Sequence, residues 1–154
     1  MKKWWVTALF VFSPLVLGFL ISIPLDIPEK YALLQKPPLS PPPILFPIVW
    51  TILYLLMGIG SYTVYKSNTD IPTSEPFTPY IIQLLFNLLW TPVFFGFRNY
   101  LLGSIISLLI IVFLIWTIIE FYRVNKFSAY IQIPYLLWSI FASYLSFGIL
   151  FLNM

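Results

Sequence analysis

At 154 residues the chain has room for one domain. It is 60% hydrophobic and only 8% charged, against about 25% charged in soluble domains, which excludes an ordinary water-soluble fold. A net charge of +3, with the basic residues set beside apolar runs, leaves no basic surface with stacking aromatics and hence no expected nucleic-acid partner. The absence of cysteine and histidine excludes disulfides and removes the ligands that zinc, copper and iron–sulfur sites need. No metal site is expected.

The charges are segregated, and between them lie five apolar runs at 4–25, 44–65, 78–97, 101–119 and 128–152. Each is about 20 residues, the length that crosses a hydrocarbon core about 30 Å thick. The expected fold class is an all-α integral membrane protein, a five-transmembrane-helix bundle forming a single domain over 1–154. The first run follows Lys2 and Lys3 but ends on Ser22-Ile23-Pro24, a poor processing site, so it reads as a retained span rather than a cleaved signal. Counting Lys2, Lys3, Lys66, Arg123 and Lys126 on one side against Lys30, Lys36 and Arg98 on the other places the N-terminus in the cytoplasm by the positive-inside rule.

The connection 26–43 is the one long enough to have a shape of its own. Pro28-Glu29 suits the start of a short surface helix over residues 30–34. The segment Lys36-Pro-Pro-Leu-Ser-Pro-Pro-Pro43 then excludes helix and favours polyproline II. Such a backbone cannot sit in lipid with its carbonyls unpaired, so it forms a stiff lid outside the hydrocarbon. In the second span, Trp50, Tyr54 and Met57 recur at i, i+4 and i+7 and share one face. A polar loop is expected from Lys66 to Pro79. In the third span Gln83, Asn87 and Trp90 again share a face, turned inward because an unpaired amide in lipid is costly. Pro92 is expected to kink this helix or free a carbonyl. The short link at Arg98-Asn99-Tyr100 makes spans three and four antiparallel neighbours. The fifth span starts near Pro134, and its pairs Ser139/Ser143 and Ala142/Ser146 permit close helix approach. No ionisable residue lies inside a span, which argues against an ion-coupled pump and against acid–base hydrolysis.

The motifs have a recognisable order and spacing. Tyr31, Leu34, Lys36, Pro37, Pro41 and Pro42 are followed by Val49, Trp50, Leu53, Tyr54, Met57 and Gly58. Gln83, Leu84, Asn87, Trp90, Phe94 and Phe95 come next, then Pro134, Tyr135, Trp138, Phe141 and Ala142. From about residue 30 onward the chain resembles the translocator protein family, also called tryptophan-rich sensory proteins or peripheral benzodiazepine receptors. It departs from the pattern at Lys30 and Leu39, where the family often has tryptophan, and at Ser146, where it often has asparagine. The family's C-terminal cholesterol motif lacks its basic residue here, so steroid transport is not carried over. The string Leu56…Tyr62…Lys66 fits only the loose form of that pattern.

The resemblance implies a bacterial-type membrane receptor that binds tetrapyrroles such as protoporphyrin IX, and other small aromatic ligands, between its helices. It implies a role in transport or stress sensing and a homodimer. The ligand-binding residues expected are Tyr31, Trp50, Tyr54, Gln83, Asn87, Trp90, Phe94, Tyr135, Trp138 and Ala142. Gln83 and Asn87 could equally bond between helices. Lys36 and Arg98 lie at the rim, where they could pair with porphyrin propionates, although most such residues simply mark the membrane interface. No cofactor is required; porphyrin enters as ligand or substrate. Two alternatives stand beside this reading. One is light-dependent porphyrin degradation with Trp50 and Trp138 as the photochemical residues. The other is a structural membrane subunit whose aromatic side chains only pack, as tryptophans at membrane interfaces commonly do.

Overall fold

A computed structural model describes residues 3–154. Among the described residues 81% are helical and none is in a strand. Its elements in chain order are α1 (Trp4–Ser22), a 3₁₀ turn (Ile23–Leu25), α2 (Ile27–Ala32), α3 (Leu45–Lys66), α4 (Ser74–Thr91), a π-helical turn (Pro92–Gly96), α5 (Tyr100–Val124), α6 (Lys126–Tyr130) and α7 (Ile133–Leu152). Five stretches are long and apolar enough to cross a membrane: Trp4–Leu25, Leu45–Lys66, Ser74–Gly96, Tyr100–Val124 and Lys126–Leu152. The protein is an all-α integral membrane protein.

Three boundaries differ from the sequence reading, each for a local reason. The third span begins at Ser74 rather than 78, so Pro76 and Pro79 lie inside it. Pro76 falls in the first turn, where the amides have no intrahelical partner; Pro79 lies one turn further in and leaves the Glu75 carbonyl without its i+4 donor. The fourth span continues past 119 to Val124. Its charged last turns are held by Arg123, whose Nη1 donates to Glu120 at 2.6 Å and to Glu75 of α4 at 3.0 Å. The fifth span begins at Lys126 and is broken by a turn at Ile131–Gln132. Pro134, at the start of α7, sits where its missing N–H costs nothing.

The lid is legible in the chain's own terms. Pro28 opens α2, and residues 35–43 are non-helical. Leu39 takes a left-handed φ of 70°. Pro92 does more than kink its helix: it widens the following turn to π geometry, where Phe97 N bonds back to the Pro92 carbonyl at 2.9 Å. Such bulges commonly sit at functional sites.

Helix packing follows from small residues. α4 and α5 run antiparallel on either side of the link at residues 97–99, α1 lies along α3, and α5 along α7. Pro14 removes the amide that would have bonded the Phe10 carbonyl, and at that point Gly58 of α3 lies against α1. A Cβ on Gly58 would come within 2.7 Å of Phe10 O and closer still to Val11 O. Between α5 and α7, Ser107 Oγ donates to Ser143 Oγ at 3.0 Å. Large side chains of α1, including Leu9, Phe12 and Leu20, face outward, as expected of a helix in contact with lipid over most of its surface.

Candidate functional site

A cavity of about 390 Å³ lies under the lid, between α1, α3 and the end of α4. Four of the expected ligand residues line it: Tyr31 from the lid, Trp50 and Tyr54 from α3, and Trp90 from α4. The i, i+4 spacing on α3 carries Trp50 and Tyr54 to the same wall, with ring centroids 5.3 Å apart. A second space of about 20 Å³, room for about one water-sized group, is bounded by Trp50, Asn87, Trp90, Ser139 and Ala142 among others. Trp50 and Trp90 border both spaces. The indole N–H of Trp90 and the hydroxyl of Ser139 are buried without a hydrogen-bond partner, a costly state for polar groups in an apolar interior.

The remaining expected residues are brought near but do not line either space. Gln83 and Tyr135 are fully buried in a polar chain that crosses the bundle. Tyr54 OH donates to Asn87 Oδ1 at 2.7 Å, Asn87 Nδ2 donates to Tyr135 Oη at 2.6 Å, and Tyr135 OH donates to Gln83 Oε1 at 2.9 Å. Gln83 Nε2 ends the chain on Met57 Sδ at 3.6 Å. This chain ties α3, α4 and α7 together behind the cavity wall. Phe94 is buried, stacked on Trp90 with centroids 5.0 Å apart, and its ring fills the notch left by Gly103. Trp138 packs edge-on to Phe46 at 6.0 Å. Phe46 itself lines the cavity, so Trp138 supports the wall from behind.

Lys36 is already engaged within the lid. Its ammonium donates to the carbonyls of Tyr31 and Leu34, both at 3.0 Å, and lies 4.9 Å from the Tyr31 ring centroid. Tyr31 OH in turn donates to the Pro41 carbonyl at 2.8 Å, and burial raises its phenol above the usual range. Arg98 holds a left-handed φ of 54° in the link between α4 and α5 and does not line the cavity.

Residues of α1 and the turn after it were not singled out by sequence, yet Gly18, Ser22 and Asp26 line the cavity. Gly18 leaves space for Tyr54: a Cβ there would lie 2.5 Å from the ring. An isolated glycine in an otherwise bulky apolar run was the available signal. Among the described residues, Asp26 is the only charged group on the wall. Glu29, one turn on, has its carboxyl raised above the usual range by a hydrogen bond and like charge from Asp26, with burial adding to it and Lys30 opposing it.

Residues 10–152 match the model of the TspO/MBR family. The "Tryptophan-rich protein TspO" of Chlorobaculum tepidum is 40% identical over 127 residues, covering 80% of this chain and 78% of its own length. The "Tryptophan-rich sensory protein" of Cereibacter sphaeroides is 33% identical, covering 81% and 77%. The "Translocator protein" of Homo sapiens is 35% identical, covering 76% and 70%. With a family match over nearly its whole length, on a five-span bundle with a proline-rich lid above an aromatic cavity, the chain belongs to the TspO/MBR family.

Proposed function

We propose that this protein is a membrane receptor that binds tetrapyrroles of the protoporphyrin IX type, and other small aromatic ligands, in the cavity beneath its lid. The observation that carries the reading is the cavity itself. Its volume of about 390 Å³ falls in the range of small-molecule sites, and its wall is aromatic, with Trp50, Tyr54 and Trp90 contributing. Names such as tryptophan-rich sensory protein and translocator protein among the relatives fit a receptor acting in sensing or transport.

The test is quenching of tryptophan fluorescence by protoporphyrin IX in detergent. Saturable quenching is expected, much reduced in a Trp50→Phe/Trp90→Phe variant and retained in Trp116→Phe, whose indole is exposed on α5. Absence of saturation, or equal quenching in the double variant, refutes the reading. Illumination of the complex decides between receptor and photochemical enzyme. A receptor leaves the porphyrin absorption spectrum unchanged; loss of porphyrin that requires Trp50 would establish degradation.

A further inference from the structure

At the end of the bundle opposite the lid, the basic side chains stand in two different states. Arg123 is neutralised, since Glu75 and Glu120 both accept from its Nη1. Lys66, in the last turn of α3, and Lys126, the first residue of α6, are exposed. Among the described residues neither has a carboxylate within ion-pair distance. Neither ammonium is loose, however. Lys66 Nζ lies over the ring of Tyr62, 5.9 Å from its centroid, and Lys126 Nζ over the ring of Tyr122 at 5.5 Å. Each ring face attracts the cation above it, so less side-chain freedom remains to be lost when an anion arrives.

The fold brings these two lysines together from positions 60 residues apart in sequence. Asn125 Nδ2 donates to Ser67 Oγ at 3.3 Å, which joins the residue after Lys66 to the residue before Lys126. The hydroxyls of Thr63 and Ser128 are hydrogen-bonded to each other one turn further in. Asn125 Oδ1 also caps α6 by accepting the Ser128 N–H at 3.2 Å. The end of α3 and the start of the fifth span therefore lie at one level, with a lysine on each. Around them Tyr65, Tyr122, Phe127 and Tyr130 are exposed, as in the aromatic belts where spans leave the hydrocarbon. Lipid phosphates lie at that depth.

A free anion arriving from water meets unfavourable charge here. The loop after Lys66 carries the exposed Asp70, and two carboxylates share the single guanidinium of Arg123. A lipid arrives from the side instead. Phe127 and Tyr130, three apart on α6, point outward while Ser128 and Ala129 are buried. We propose that Lys66 and Lys126 form a seat for the headgroup of an anionic phospholipid, with Phe127 and Tyr130 against its acyl chains. The phosphodiester bridges the two ammonium groups and so links α3 to the fifth span from outside. A zwitterionic lipid offers the same phosphate but carries its own cation beside it, so the seat selects for net negative charge. The seat is remote from the cavity and does not depend on the ligand-binding reading above.

The test titrates the full chain in detergent with dioleoyl-phosphatidylglycerol or dioleoyl-phosphatidylcholine and counts bound lipid by native mass spectrometry. Phosphatidylglycerol is expected to bind the more tightly at low salt, and added salt should narrow the difference. Lys66→Gln and Lys126→Gln, which leave the packed interior untouched, should each weaken its binding about fivefold. The double variant should lose the preference, while Lys30→Gln at the lid end should keep it. Equal affinity of the parent for the two lipids, or a preference surviving in the double variant, overturns the seat. An equal loss in Lys30→Gln also overturns it, because overall net charge alone would then explain the attraction. Inorganic phosphate at matched ionic strength is expected not to displace the lipid; displacement would make this a general anion site and overturn the lipid assignment.

Discussion

Replacing Asn87 by leucine should expose the energetic logic of the buried chain behind the cavity. Leucine is close to asparagine in size, so the change removes polar groups with little new void. Two bonds go, from Tyr54 OH and to Tyr135 Oη. Tyr135 keeps its bond to Gln83, but the Tyr54 hydroxyl is left as a buried, unpaired donor. Interhelical hydrogen bonds within membranes average about 0.6 kcal/mol, whereas an orphaned buried group costs about 1–3 kcal/mol. The orphan is the larger effect, and a loss of about 2 kcal/mol is expected. Tyr54→Phe leaves only the Asn87 Oδ1 acceptor unmatched and should cost about 1 kcal/mol. The double variant removes both members of the pair, so it should also cost about 1 kcal/mol rather than the additive sum of about 3 kcal/mol. Reversible unfolding in mixed micelles, followed by circular dichroism, measures each corner of the cycle. Strict additivity, or a stable Asn87→Leu variant, would refute the argument that the orphaned hydroxyl dominates.

Further outcomes follow from the same structure. Gly58→Ala should cost about 1–3 kcal/mol, because its Cβ meets the backbone of α1. Gly96→Ala, whose Cβ meets the flexible Leu25 tip at 3.2 Å and Pro92 Cβ at an ordinary 3.9 Å, should be near neutral in the same unfolding assay. Asp26 puts a negative charge on the wall, so protoporphyrin dimethyl ester should bind about threefold more tightly than the diacid at low salt, with Asp26→Asn narrowing the gap and added salt masking it; equal binding in fluorescence titrations would count against the charge argument. Burial raises the Tyr31 phenol above its ordinary 10.0. Tyr31 should therefore keep its contribution to stability up to about pH 10 and lose it as pH rises through the higher folded value; unfolding of Tyr31→Phe in the same assay should lack that dependence. With no native cysteine, Leu39→Cys should react with an impermeant maleimide from outside intact cells if the N-terminus is cytoplasmic, and Lys66→Cys only after permeabilisation.

Much of the fold was legible because a bilayer penalises charge so strongly. The segregation of the charged residues marked five spans, and the boundaries moved only where proline or an ion pair altered a helix end. Gln83 and Asn87 were legible as inward-facing for the same reason, since amides cannot be left to lipid. The α3 stripe was legible through its period. α1 offered no such contrast: its lipid-facing and bundle-facing residues are alike apolar, so Gly18 and Ser22 as cavity residues had almost no signature.

Composition and spacing by themselves determined the membrane class, the five spans, the stiff lid and the aromatic face beneath it. Those features follow from desolvation cost, missing proline amides and helical period, all of which act locally. Only the tertiary structure decided which aromatic side chains open onto space and which fill it. Trp50 and Trp90 border the cavity, while Phe94 and Trp138 pack around it, although all four look alike in sequence. It also decided that Lys36 is bound to lid carbonyls and that Asn153 meets Gln35 across 118 residues of chain. Such pairings depend on how helices are placed in three dimensions, which no local pattern encodes.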